Sequence, residues 1–96
     1  MISLALAATL TSMQGTLAYR VAVRGPVGSS VIVAAQPPFG WTAAFCSPRL
    51  CAVGHVPVTI AATGTSYVDL HLYTTTRPMH GTAFITAQGN TLRLRV

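Results

Sequence analysis

The chain has 96 residues, no lysine, six arginines and a single carboxylate side chain, Asp69, for a formal charge of +5. That length supports one domain over residues 1–96 with one core, and leaves no room for a cleft between two lobes. Hydrophobic residues make up 51% and charged residues 7%, so Thr, Ser, Ala, Gly and Gln must supply most of the solvated surface.

These counts exclude several functions. General acid–base chemistry draws on Asp, Glu or His, and Asp69 with three histidines is too small a set for most hydrolase designs, so no enzyme is expected. No G-x-S-x-G element is present to orient a nucleophilic serine. Arg20, Arg24, Arg49, Arg77, Arg93 and Arg95 are scattered and no base-reading or stacking motif accompanies them, which argues against nucleic acid. No apolar run approaches the roughly 20 residues of a membrane-spanning helix.

In chain order, "MISLALAATLTSMQG" has the apolar segment of an export leader but lacks the basic residues that precede one, and it reads as a strand. If the protein is exported, its leader has been removed from this sequence or replaced by Met1. In "TLAYRVAVRG" the period is two: Leu17, Tyr19, Val21 and Val23 share one face, and Ala18, Arg20, Ala22 and Arg24 the other. "SSVIVAA" follows as a β-branched strand bounded by turn residues.

The next stretch, "PPFGWTAAFCSPRLC", holds the only tryptophan and both cysteines. Four residues, one of them Pro48, separate Cys46 from Cys51, and a turn of that length can bring two Cα atoms to the roughly 4.4–6.8 Å that a disulfide needs. Such a ring contributes about 2 kcal/mol and fixes a local turn. The rival is a metal. Cys51 and His55 are spaced C-x3-H, and Cys46, Met79 and His80 could add soft or borderline ligands for copper or zinc. Blue-copper sandwiches, however, place a histidine well before the cysteine, and no His precedes Cys46 here. The disulfide is therefore the expected state and no cofactor is required. A redox pair is disfavoured, because that motif is C-x-x-C at a helix start. Trp41 reads as a core residue packing near the disulfide, with stacking on a sugar as the alternative.

Beyond it, "VPVTIAAT" puts Val56, Val58, Ile60 and Ala62 inward, and "SYVDLHLYT" puts Val68, Leu70 and Leu72 inward. Tyr67, Asp69, His71 and Tyr73 then project from the opposite face as the polar and aromatic stripe of the protein, either a solvated surface or a binding face. "GTAFITAQ" and "TLRLRV" complete the set, the latter with Leu92, Leu94 and Val96 inward. About seven strands with turns roughly every 8 to 12 residues predict an all-β fold, a two-sheet antiparallel sandwich of immunoglobulin type, with a small barrel as the alternative.

"FGWTAAFCSPRLC" resembles a pattern of bacterial secreted Ig-like or fibronectin-III-like sandwich modules: P-x-G-W, then C-x4-C, then a Pro-containing turn and a Gly before the next strand. Pro38, Gly40, Trp41, Cys46 and Cys51 match it, as do Pro78 and Gly81 in "RPMHGTAFI"; the resemblance covers Gly15 to Ala87. It implies a non-catalytic, secreted or cell-surface module. The expectation is a structural, adhesive or assembly subunit of a fibre, coat or surface layer, partnered by other protein subunits or copies of itself, with edge strands at both ends of the chain open to strand addition. The alternatives are a carbohydrate-binding module using Trp41 or the Tyr67/Tyr73 face, and copper or zinc at Cys51 and His55.

Overall fold

A computed structural model describes residues 2–10, 16–38, 40–46, 51–74 and 81–95. They form nine strands: β1 (Ser3–Thr9), β2 (Thr16–Arg24), β3 (Ser30–Gln36), β4 (Trp41–Cys46), β5 (Cys51–Val53), β6 (His55–Thr59), β7 (Thr65–Thr74), β8 (Thr82–Ala87) and β9 (Asn90–Arg95). Two antiparallel sheets result, a five-stranded one in the order β1-β2-β7-β4-β5 and a four-stranded one in the order β6-β3-β8-β9. The fold is an all-β two-sheet sandwich, with the first two strands and β7 in one sheet and β3, β8 and β9 in the other, as in immunoglobulin-like folds. The Trp–Cys stretch accounts for the two strands beyond the seven expected. It is not a loop between strands but a hairpin of β4 and β5.

The period of two builds the core. Tyr19, Val21 and Val23 of β2 pair with Leu70, Val68 and Ser66 of β7, and the apolar members of that set face Val31, Val33, Ile85 and Leu94 of the other sheet. Val56, Val58 and Ile60 are buried as the alternation requires, but Ala62 lies exposed in the turn after β6. No polar or charged side chain is buried among the described residues.

Turns are set by residues that tolerate positive φ. β8 and β9 are joined by the two-residue loop Gln88–Gly89, at φ 46° and 83°, the signature of a type I′ hairpin turn. Between β5 and β6, Gly54 has φ 83° and links the two sheets. Its N–H donates to the Ala43 carbonyl in the five-stranded sheet (3.0 Å), and its own carbonyl accepts from Ala35 N–H in the four-stranded sheet (2.8 Å). One edge segment therefore serves both sheets, changing over at a residue whose backbone an L side chain would strain.

Pro38 and Gly81, from the two halves of the family-like pattern, meet. A Cβ on Gly81 would lie 2.7 Å from Pro38 Cβ, so only glycine fits at the start of β8. The turn into β4 is closed by Trp41 N–H donating to the Pro38 carbonyl at 3.0 Å, with Gly40 at φ 84°.

Candidate functional site: the outer face of the five-stranded sheet

β7 is the central strand of its sheet, and its outward side chains run along the middle of the exposed face. Tyr67 and Tyr73 are 59% and 41% exposed, while Asp69 and His71 are partly covered. The register places Ala22 beside Tyr67, Ala18 and Ala44 on either side of His71, and Arg20 and Cys46 on either side of Asp69. Ala18, Ala22 and Ala44 are buried although they point away from the core. A methyl group flanked by a larger side chain loses its solvent, as Ala22 does beside Tyr67 and Ala18 and Ala44 beside His71, while Tyr73 stands between Thr16 and Thr42. The His71 and Tyr73 rings stack with centroids 6.1 Å apart and an interplanar angle of 18°.

Charge on this face is arranged by one pair. Arg20 Nε donates to Asp69 Oδ1 at 2.9 Å and Nη2 to Oδ2 at 3.4 Å. The hydrogen bond and the nearby carboxylate raise the Arg20 pKa further above its already high value. Both groups are solvent-accessible, so the pair does little for stability. What it does is cancel the only carboxylate of the chain against one arginine, leaving the centre of the face neutral. Arg20 was not singled out from the sequence, though the alternation in β2 had already placed it on the polar side.

The disulfide joins the same row. Cys46 and Cys51 are directly opposed in the β4–β5 hairpin, with Cα atoms 4.0 Å apart and a bond between them. Alternation from the buried Trp41, Ala43 and Phe45 turns Cys46 to the outer face, next to Asp69. Trp41 thus packs in the core as expected but not beside the disulfide: it sits at the other end of β4 and on the other side of the sheet. With only 9% of its surface exposed, it offers no ring face to a sugar.

The metal alternative at Cys51 and His55 does not hold. Cys51 is spent in the disulfide and has no thiolate to give. The changeover at Gly54 also sends the two residues to different sheets. Among the described residues no group of three or more His, Cys, Asp or Glu side chains is placed to hold a metal; Met79 and His80 lie outside them.

A groove of about 520 Å³ opens between β6 and the start of β7, lined by Phe45, Val56, Val58, Ser66, Tyr67 and Val68 among others. Its hydroxyl groups have neither a histidine nor a carboxylate beside them in the lining. Ser66 Oγ donates to the Thr59 carbonyl at 2.8 Å and accepts from Ala61 N–H at 2.9 Å, which makes it part of the turn.

Among the described residues there is no helix long and apolar enough to cross a membrane. Fold and face together define a β-sandwich with a disulfide-pinned edge hairpin and an aromatic stripe along one sheet face. No protein-family model matches the chain, and comparison with curated proteins and with solved structures gives no match either.

Proposed function

We propose that the chain is a non-enzymatic, extracellular structural or assembly module that packs against copies of itself. The observation that carries this reading is the outer face of β7, where Tyr67 beside Ala22 and Tyr73 between Thr16 and Thr42 are both accessible and the single side-chain carboxylate is paired with Arg20. Aromatic rings on a surface cleared of net charge are what the centres of protein interfaces share. The disulfide supports an oxidising location.

Sedimentation velocity tests it. The wild-type chain should associate as its concentration rises, and the double variant Tyr67→Ser/Tyr73→Ser should associate more weakly with its fold intact. A chain that stays monomeric at millimolar concentration counts against the reading.

The exposure of Tyr67 and Tyr73 favours one second reading, an aromatic platform for an extended glycan. Six residues apart on one strand, the two rings are separated by about 20 Å. Binding on a glycan array that is lost in Tyr67→Ala would support it, and a silent array would remove it.

A further inference from the structure

Four strand edges are presented by the two sheets: β1 and β5 on one, β6 and β9 on the other. Edges invite pairing with another chain unless they are short, charged, interrupted by proline or bent by bulges. β5 has three residues and begins at the disulfide. β6 carries Pro57, which has no N–H to donate, and β9 carries Arg93 and Arg95. β1, Ser-Leu-Ala-Leu-Ala-Ala-Thr, has neither a charge nor a proline. Its single irregularity is a bulge at Ala7, which leaves Ser3–Leu6 in continuous register with β2. Leu6 is 43% exposed although it pairs with the fully buried Val21.

We infer that the free edge of β1 pairs antiparallel with β1 of a second copy, joining two five-stranded sheets into one of ten strands. The inference rests on the assembly reading above and names one of its contacts. Charge selects the partner. Each chain carries +5, so two copies approach most easily where both are neutral, and among the described edges only β1 combines that neutrality with length and a run in continuous register, over Ser3–Leu6. On the neighbouring strand β2, Arg20 is already paired with Asp69 and Arg24 lies opposite Ser3. In the pair the two β2 strands are three strand spacings apart, about 14 Å, which exceeds the Debye length of about 8 Å at physiological salt. The two-fold relation also uses up both β1 edges, so the contact closes at two copies.

Ala7→Lys is the discriminating variant, because Ala7 is exposed and has no partner in β2, so the fold tolerates the new side chain. It should weaken dimerisation by about tenfold or more, since like charges meet across the edge. Single cysteines placed at Ala5, Leu6 and Ala7 should give a reducible covalent dimer at the position nearest the two-fold axis, well above the level from Val27→Cys in an exposed turn. Association that survives Ala7→Lys and gives no preferred cross-link, yet falls in Tyr67→Ser/Tyr73→Ser, overturns the edge contact and leaves the assembly reading standing. Association lost in Ala7→Lys and untouched by the tyrosine changes supports the edge and removes the aromatic face from assembly. A strictly monomeric wild-type chain overturns both.

Discussion

Trp41 fills the end of the core where β4 begins, and nearly all of its ring is withdrawn from solvent. Truncation to alanine leaves a large hole, so Trp41→Ala should cost about 3–5 kcal/mol, a heavy loss for a domain whose whole stability is about 5–15 kcal/mol; urea melts of the two proteins measure it. A ligand assay on that variant would therefore report unfolding, and Tyr67 is the residue at which to test binding. Tyr19 adds a pH dependence. Burial raises its pKa above the usual 10.0, so the folded protein keeps a proton that the unfolded chain releases. That contribution is whole below about pH 10 and fades as pH rises through the higher folded-state value. Tyr19→Phe cannot release this proton, so between about pH 9 and about pH 11 its urea midpoint should fall less than that of the wild type; equal falls would place the alkaline sensitivity elsewhere.

The β4–β5 hairpin is the element most dependent on a single bond. β5 offers three residues to its partner, and its hold on β4 ends at the Cys46–Cys51 pair. The ring is small, so reduction should lower stability by about 2 kcal/mol and leave the sandwich folded. Amide exchange should rise first at Cys51–Val53 and not in β2 or β7; a cooperative loss of the whole sheet on reduction would contradict this. The same hairpin marks the boundary of what the sequence makes legible. Alternation identified β2, β6, β7 and β9 and the inward sets of β2 and β7, because one face of each strand is buried and the period is strict; β3 and β8 showed instead as β-branched runs between turn residues. β5 is too short to show a period. In β4, Ala44 is buried on the outer face next to His71, so buried residues run consecutively through Ala43, Ala44 and Phe45 and the alternation is blurred. Gly54, between Val53 and His55, gave no distinct signal, because its role depends on two sheets meeting there. The aromatic stripe was legible from β7 alone; its neutral centre was not, because Arg20 lies 49 residues away in the chain and reaches Asp69 only through strand pairing.

At the scale of the whole molecule, charge among the described residues is segregated by surface. Arg93 and Arg95 point outward from the four-stranded sheet, while Arg20 is cancelled on the five-stranded one and Arg24 stands at its end. Among the described arginines other than Arg20, Arg93 and Arg95 lie on the other sheet and only Arg24 stands beside a proposed contact, at the Ser3 end of β1. The two contacts, the β7 face and the β1 edge, point in different directions, one normal to the sheet and one within its plane. Two such contacts in one chain build assemblies larger than a dimer. Removing either by Tyr67→Ser/Tyr73→Ser or by Ala7→Lys should stop growth at two copies, and removing both should give monomers. Salt separates this arrangement from an ionic one. Contacts between neutral patches must form against the mutual repulsion of chains carrying +5 each, and added salt screens that repulsion. Association should therefore strengthen between about 0.05 and 0.5 M sodium chloride, where the screening length falls to a few ångströms. An assembly held by arginines reaching carboxylates would weaken over the same range, and light scattering across the titration tells the two apart.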